Sequence, residues 1–329
     1  MKFSLIICTY MRPESVLQLL ESVQGQTLYP DEILIVDGST NAATELVLKD
    51  NPVPNLQYFA VPTEHRGLTK QRNYGIEKLG NAMDVVCFLD DDTVLEKDYF
   101  EEIMQTFHNN PGITGVGGVA INENSWRLAE PNTKYDPGRY YQWEGYIYKE
   151  GQRNVVRNYF GLQSNLGPAQ MPDFSHSKTC GFPLTGKTYE VDLLMGMSFA
   201  FRKKVVDSIR FSSYFEGYGL YEDADFSIRA LQFGKNAINT KAKLNHYHHP
   251  SGRPNQYQYG KMVVRNGWYV WRVKNPKPSF NAKLKWHSIT ILLTLIRFSN
   301  TFTTAKRKEA FTEAMGRMMG WIQIIIKLR

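Results

Sequence analysis

Three consecutive aspartates follow a short apolar run in this sequence. Asp90, Asp91 and Asp92 come directly after residues 85–89, which have the composition of a buried strand. Because side chains alternate along a strand, Asp90 and Asp92 should leave it on one side and Asp91 on the other. Acids this close repel each other, and a divalent cation held between them and the phosphates of a substrate would relieve the repulsion. An acidic turn without a ligand is the alternative for an isolated triplet.

Two further groups of residues could take part in chemistry. Glu222 and Asp223 stand at the start of a predicted helix, where the dipole favours ionised carboxylates, although a well-capped structural helix has the same pattern. His246 and His248 follow a short predicted strand and could supply a metal ligand, whereas a lone histidine is more often a packed or surface residue. Arg253 lies in a Ser-Gly-Arg-Pro turn, where its cation could face a phosphate.

Strands and helices that would position these residues alternate through the first ninety residues. The predicted strands cover residues 2–8, 32–36, 56–61 and 84–89, and the predicted helices cover residues 13–23, 42–48 and 68–79. This alternation is typical of an α/β fold with a mostly parallel central sheet flanked by helices. Ligands of such sheets bind at the carboxyl ends of strands, so we expect Thr9, Asp37 and the aspartate triplet along one rim. The sequence contains neither a Walker motif nor GxGxxG.

The composition narrows the class of partner. The 329 residues carry a formal net charge of +7, which favours nucleic acid, phosphorylated ligands or a membrane surface. No recognisable DNA- or RNA-binding motif is present, so we expect no nucleic-acid partner. The three cysteines show no CxxC spacing and indicate neither a disulfide framework nor a zinc site. Without a signal peptide or an apolar run of roughly 18 residues, the sequence predicts a cytoplasmic protein.

Two regions of the sequence lack the alternation of predicted strands and helices. Residues 122–188 are rich in tyrosine and tryptophan, which either stack on sugar faces or pair across the strands of hairpins. Residues 283–329 hold nine basic side chains against two acidic ones, with apolar residues at helical spacing. They predict basic amphipathic helices, too short to span a bilayer, which either lie in a membrane interface or cover the catalytic domain or a second subunit.

Six motifs, in this order, resemble those of the family 2 inverting glycosyltransferases of the GT-A fold. They are IICTYMRP, IVDGST, RGLTKQRNYGI, FLDDDT, LLMGMSFAFRK and YEDADFSIRA, and the match around them runs from residue 3 to about residue 249. Each motif alone is weak, but their order and spacing are specific. The resemblance implies a GT-A domain over residues 1–250, with a nucleotide-sugar-binding half at 1–121 and an acceptor-binding half at 122–250. Residues 251–329 would form a basic, amphipathic, helical C-terminal extension.

The resemblance also implies roles for individual residues. Asp223 would be the catalytic base, and Glu222 would support it or contact the acceptor. Asp90 and Asp92 would bind the metal, together with His246 or His248, of which we favour His246. Asp37 would bind the base, usually uracil, but Gly38 stands where the family often has a second aspartate. With Arg253 added from its turn alone, the nucleotide-sugar contacts we expect are Thr9, Tyr10, Arg12, Asp37, His65, Arg66, Arg72, Asn73, Asp90, Asp91 and Arg253.

The implied activity is the metal-dependent transfer of a sugar, with inversion, from a UDP-sugar to a saccharide or a lipid-linked saccharide. The cofactor would be Mn²⁺ or Mg²⁺, and the process would be the synthesis of a cell-surface polysaccharide. Lipid-linked acceptors favour peripheral contact of residues 283–329 with the inner face of the cell membrane; formation of a homo-oligomer stays open. The alternative is a non-catalytic nucleotide- or carbohydrate-binding protein on the same fold, against which the presence of Asp90, Asp92 and Asp223 together argues.

Overall fold

The computed structural model describes residues 1–215, 217–248 and 254–327. The chain forms two compact units: the first joins Met1–Asn124 to Leu184–Gly252, and the second joins Ser125–Pro183 to Arg253–Arg329. Residues 125–183, which we expected in one domain with residues 1–121, therefore pack with the C-terminal helices. Hydrogen bonds such as that from Trp271 Nε1 to the Asp173 carbonyl, 2.8 Å long, hold this grouping together. The functional division of the chain stays a prediction.

The elements of the chain have the following bounds. The strands are β1 (Phe3–Thr9), β2 (Glu32–Asp37), β3 (Leu56–Ala60), β4 (Val85–Asp90), β5 (Thr93–Leu95), β6 (Ile113–Ala120), β7 (Arg127–Leu128), β8 (Tyr140–Trp143), β9 (Tyr146–Lys149), β10 (Thr188–Val191), β11 (Ser198–Arg202) and β12 (Lys235–His246). The helices are α1 (Pro13–Gln24), α2 (Ala43–Asp50), α3 (Leu68–Glu77), α4 (Tyr99–Asn109), α5 (Gln152–Tyr159), α6 (Lys203–Ser208), α7 (Glu222–Ala230), α8 (Gln256–Lys274), α9 (Phe280–Thr303) and α10 (Arg307–Lys327).

One sheet forms the centre of the first unit. Within the described residues its strand order is β10-β12-β6-β11-β4-β1-β2-β3, and β5 pairs with β12. Strands β1 to β4 are parallel and are connected by α1, α2 and α3, as their apolar runs and alternation predicted. Strand β11 lies antiparallel between β4 and β6, which makes the other half of the sheet mixed. The predicted α/β class is therefore confirmed.

The carboxyl ends of the parallel strands meet along one rim. Thr9 of β1 pairs with Asp37 of β2, and Cys8 pairs with Asp90 of β4. This register follows from the burial of both faces of these strands, whose apolar side chains form the core. The rim therefore carries the polar residues that the sequence analysis expected there.

Helix α3 lies close against the sheet because Gly75 has no side chain. A Cβ atom at Gly75 would come within 2.9 Å of the Ile6 side chain. The close approach brings Gln71, one turn earlier, to the rim, where its Nε2 donates to the carbonyls of Thr9 (2.9 Å) and Val36 (2.8 Å). Gln71 thus ties the ends of β1 and β2 together, and the next residue, Arg72, enters the same region.

The apolar segment 191–201 is only partly a strand. Strand β10 ends at Val191 and strand β11 begins at Ser198, and residues 192–197 between them form a loop. Their backbone amides pair with side chains of α7 instead of a neighbouring strand: Leu194 donates to Ser227 Oγ (3.1 Å), and Gly196 donates to Asp223 Oδ2 (2.9 Å). Tertiary hydrogen bonds therefore override the strand-like composition of this segment.

The second unit contains a small sheet, ordered β7-β9-β8, and the helices α5, α8, α9 and α10. Tyr141 pairs with Tyr148 across β8 and β9, and Trp143 pairs with Tyr146. The ring of Trp126 lies 5.5 Å from that of Tyr148. The aromatic residues of this region therefore form cross-strand pairs, which was one of the two alternatives left open by the sequence; sugar stacking stays a prediction.

Helices α9 and α10 carry exposed apolar side chains. On α9 they are Phe280, Leu284, Ile291, Leu295, Phe298 and Phe302, and on α10 they are Phe311, Met318, Met319, Ile322 and Ile326. On α9 the spacing of three, four or seven residues places them on one helix face. Among the residues described, we find no helix that combines the length and the apolar character needed to cross a membrane.

Candidate active site

Asp91 is the buried member of the aspartate triplet. Its two carboxylate oxygens accept hydrogen bonds from Thr9 Oγ1 (2.7 Å) and from Arg12 Nη1 (2.9 Å). Burial raises the pKa of Asp91 to about 6, against the lowering effect of the Arg12 charge and of both hydrogen bonds. Asp91 therefore joins the loop after β1 to the end of β4, and the side chains of Thr9 and Arg12 contact it there.

Asp90 and Asp92 form a group of possible metal ligands with His246. One ligand atom from each residue lies within 4.8 Å of the other two, and His246 Nε2 is 3.3 Å from Asp92 Oδ1. Partial burial raises the pKa of Asp90, although the Arg72 charge opposes this. Burial lowers the pKa of His246, but the hydrogen bond to Asp92 and the nearby carboxylate charges outweigh it and raise this pKa overall. Two carboxylates and an imidazole suit a cation such as Mn²⁺.

Arg72 connects this group to helix α7. Its Nη2 donates to Asp90 Oδ1 (3.1 Å) and to the Gly196 carbonyl (2.9 Å), and its Nη1 pairs with Glu222 Oε1. The side chain is only 2% exposed, and its guanidinium carbon lies 4.9 Å from the centre of the Phe199 ring. Arg72, which the resemblance assigned to the ribose and diphosphate, thus binds two carboxylates in the structure.

Glu222 and Asp223 occupy the first turn of α7 and differ in environment. Glu222 is buried, and its Oε2 has no hydrogen-bond partner within the described part of the chain. Burial raises the pKa of Glu222 to about 8, because the lowering effect of the Arg72 charge only partly offsets it and the neighbouring Asp223 raises it further. Asp223 is half-buried, and its two oxygens accept from the backbone amides of Gly196 (2.9 Å) and Ala224 (2.8 Å).

Asp37, at the end of β2, is held in a fixed orientation. It accepts a hydrogen bond from the Tyr58 hydroxyl on β3 (2.9 Å) and from the Ser39 backbone amide (2.7 Å). Arg66 Nη2 donates to the Ser39 carbonyl (3.3 Å), and Tyr10 is exposed beyond the end of β1. The structure therefore brings Asp37 and Arg66 to one loop. We did not expect Tyr58 at the site, because it lies in the middle of a predicted strand, a position that carries no functional signal.

Asn73 and His65 contact protein groups. Both polar atoms of the Asn73 side chain bind the backbone of Phe211, each over 2.9 Å. The His65 ring lies 5.2 Å from the Tyr74 ring. Asn73 therefore has a structural role, because it fixes the backbone of Phe211. The motif alone does not reveal this role. Arg253 lies outside the described residues.

Comparison with known proteins identifies related sequences. Residues 4–164 match the model of a family described as glycosyl transferase family 2. The chain is 34% identical over 143 residues to the glucosyl-dolichyl phosphate glucuronosyltransferase of Haloferax volcanii, and the alignment covers 43% of this chain and 44% of the relative. The chain thus spans less than half the length of that curated relative.

Two solved structures have a similar fold. TarS 1–349 of S. aureus superposes with a TM-score of 0.51 at 15% identity, covering 98% of this chain and 80% of TarS 1–349. The mannosyltransferase PcManGT of Pyrobaculum calidifontis, solved with GDP-Man and Mn²⁺, superposes with a TM-score of 0.53 at 13% identity, covering 99% of this chain and 79% of its own. At this level of identity the similarity shows the GT-A fold.

Proposed function

We propose that this chain, which belongs to glycosyl transferase family 2 through its residues 4–164, transfers a sugar from a nucleotide diphosphate donor to an acceptor hydroxyl with inversion. The observation that carries the proposal is the network in which Arg72 joins Asp90 to Glu222, the neighbour of Asp223. Inverting transfer needs a group that stabilises the charge of the leaving diphosphate. It also needs a base close to the anomeric carbon that the acceptor hydroxyl attacks. Arg72 fixes the end of β4, which carries Asp90, relative to the start of α7, which carries Asp223.

A divalent cation fits the donors of Asp90, Asp92 and His246. The fit rests on the three side chains, whose ligand atoms already converge, and on their chemistry, which suits Mn²⁺ or Mg²⁺. When bound there, the cation would supply positive charge to the diphosphate as its negative charge develops. Asp90 keeps its orientation through Arg72, and Asp92 keeps its orientation through His246.

Asp223 would act as the general base. The amides of Gly196 and Ala224 hold its carboxylate at the start of α7, and its partial exposure leaves it accessible to an acceptor. Asp223 takes the proton of the acceptor hydroxyl as that oxygen bonds to the anomeric carbon and the bond to the diphosphate oxygen breaks. Glu222 would keep Arg72 in place rather than take this proton.

One contact of Asp37 and one relative support the identity of the donor base and the class of the acceptor. Asp37, fixed by Tyr58, presents a carboxylate that could accept an N–H of uracil, which supports a UDP-sugar. The Haloferax relative is named for a lipid-linked saccharide, glucosyl-dolichyl phosphate, which supports an acceptor of that class. Cell-surface polysaccharide synthesis is the process that the family resemblance implies.

The test is a screen of UDP-sugars and GDP-sugars for Mn²⁺-dependent release of the nucleoside diphosphate. We expect turnover with one donor, and Asp223→Asn should lower it about 10²–10⁴-fold while UDP binding persists. Asp207→Asn, which changes an exposed aspartate on α6, is the matched control. Transfer by Asp223→Asn at nearly the wild-type rate would remove Asp223 from the role. Nucleotide binding without turnover in the wild type would favour the non-catalytic alternative.

We also propose that α9 and α10 contact a membrane surface. Their exposed apolar side chains are accompanied by basic residues, including the exposed Lys283 at the start of α9, and this combination suits an anionic bilayer. Leu295→Glu, at a side chain that is 60% exposed, should abolish sedimentation with vesicles of phosphatidylcholine and phosphatidylglycerol. Leu46→Glu, at a 58% exposed leucine of α2, should not. If Leu295→Glu instead dissociates an oligomer, this face is a subunit interface.

A further inference from the structure

A carboxylate outside the proposed metal-ligand group contacts its histidine. Glu123 Oε1 lies 2.8 Å from His246 Nδ1, while the other ring nitrogen, Nε2, faces Asp92 Oδ1 at 3.3 Å. The imidazole of His246 therefore stands between two carboxylates. One belongs to the aspartate triplet, and the other comes from the loop after β6.

The backbone around Glu123 is tied to that of His246. Strand β6 runs parallel to β12, and beyond its end the amide of Ile121 donates to the Leu244 carbonyl (2.8 Å). The Asn122 side chain then donates to the His246 carbonyl (2.8 Å) and accepts from the His246 amide (3.0 Å). This clamp presents Glu123 to the ring, so the contact is a built feature of the strand ends.

The contact with Glu123 engages one ring nitrogen and leaves the other on the side of the proposed metal ligands. An ionised carboxylate can only accept a hydrogen bond, so His246 Nδ1 carries a proton and donates it to Glu123. Nε2 faces Asp92, to which it donates when it is protonated, and it is the nitrogen that would bind the cation in place of that proton. A carboxylate that holds the second nitrogen of a metal-binding histidine fixes the tautomer and the ring orientation and raises the basicity of the ligand.

We infer that Glu123 is a positioning residue for the metal ligand His246. The inference rests on the metal dependence of the proposed function, and it assigns to Glu123 a role that acts through the imidazole and not through direct contact with the cation. Asn122 supports this role by holding the backbone of His246.

A competing arrangement uses the same side chain. Glu123 Oε1 also lies 2.8 Å from His248 Nε2, and Glu123, His246 and His248 form a second group of three possible ligands. The side chains of Glu123 and His248 are 39% and 55% exposed, whereas that of His246 is 12% exposed. The less exposed group, with Asp90 and Asp92, is better shielded from competing water. Substitution of His248 separates the two arrangements.

The experiment is a titration of the full chain with Mn²⁺, followed by the loss of the free-ion electron paramagnetic resonance signal, with and without UDP. Glu123→Ala should weaken Mn²⁺ binding about 10–100-fold, and Glu123→Gln should weaken it less, because the amide oxygen still accepts from Nδ1. His248→Ala should bind nearly as the wild type does. Glu96→Gln, at an exposed glutamate of the same unit, is the matched control.

A second readout requires no metal. Nitrogen-15 NMR of labelled histidine should show a proton on His246 Nδ1 in the wild type and in Glu123→Gln. In Glu123→Ala, where only Asp92 remains beside the ring, the proton of the neutral ring should lie on Nε2. A purely structural role of Glu123 would leave this tautomer unchanged.

The outcomes are distinct. Unchanged Mn²⁺ affinity in Glu123→Ala, or an unchanged tautomer, overturns the inference alone. An equal loss of affinity in His248→Ala and Glu123→Ala also overturns it, because Glu123 would then bind the cation directly. If the wild-type chain binds no Mn²⁺ even with UDP, the metal dependence of the proposed function fails, and the inference fails with it.

Discussion

Replacement of Glu222 by glutamine should change how the stability of the first unit depends on pH. Glu222 is buried against Arg72, and burial raises its pKa to about 8 from an ordinary value of 4.5. Between these two values the folded protein keeps a proton on Glu222 that the unfolded chain has lost. The free energy of unfolding therefore decreases as the pH rises from 4.5 to 8, and the contribution of Glu222 becomes constant above pH 8.

The two pKa values of Glu222, 4.5 in the unfolded chain and about 8 in the folded protein, set the size of this decrease in stability. Each pH unit between the two pKa values corresponds to about 1.4 kcal/mol, so Glu222 can lower the stability by at most about 5 kcal/mol across the interval. Glu222→Gln removes this dependence. The variant also changes the acceptor of Arg72. Below pH 8 Glu222 keeps its proton, so the substitution exchanges one neutral group for another and should cost less than the roughly 3–5 kcal/mol of a broken buried ion pair. Asp90 and the Gly196 carbonyl still bind Arg72, and the glutamine oxygen can accept from it.

The assay is urea unfolding of wild type and variant at several pH values between 5 and 8.5. Far-UV circular dichroism is the appropriate probe, because all six tryptophans lie in the second unit and their fluorescence would report on that unit. Asp91, whose pKa burial raises to about 6, titrates in both proteins, so its effect cancels in the difference. Glu64→Gln, at an exposed glutamate, is the control.

The expected result is a difference in stability that moves in favour of Glu222→Gln as the pH rises. A constant difference in stability between pH 5 and 8.5 would refute the reasoning, because folded Glu222 would then be ionised throughout this range. The lowering effect of the Arg72 charge on the pKa of Glu222 would then outweigh the raising effect of burial. A shift in the opposite direction would also refute it, because a raised pKa of Glu222 cannot make the wild type gain stability as the pH rises.

Three other substitutions test separate parts of the site. Arg72→Lys should weaken Mn²⁺ binding, measured by calorimetry, and lower turnover about tenfold or more, because one ammonium group cannot reproduce the planar contacts to Asp90 and Glu222. Gly196→Ala should lower kcat about 10–100-fold without unfolding the protein, since the new Cβ would lie 3.1 Å from Asp223 Cβ and displace the proposed base; an unchanged kcat contradicts this. Asn73→Ala should cost about 1–3 kcal/mol in urea unfolding, through the two lost bonds to Phe211, and leave KM for the donor unchanged, whereas a direct donor contact predicts a raised KM.

Much of the first unit followed from the sequence. Buried strands with apolar runs, connected by helices, determine a parallel sheet, and the alternation of side chains separates Asp91 from Asp90 and Asp92. The structure has both features. These inferences succeed because they depend on local periodicity and on the short connections between neighbouring elements.

The partners of the site residues were decided only by the tertiary structure. Glu123 meets His246 across 123 positions of sequence, and Arg72 meets Glu222 across 150. Both contacts depend on the order of β11, β6 and β12 in the sheet, which no local pattern specifies. The motif around Arg72 is equally compatible with an arginine facing a phosphate and one buried between carboxylates. The choice depends on what packs around the side chain, because burial makes an unpaired charge costly and forces the arginine to find its partners within the fold.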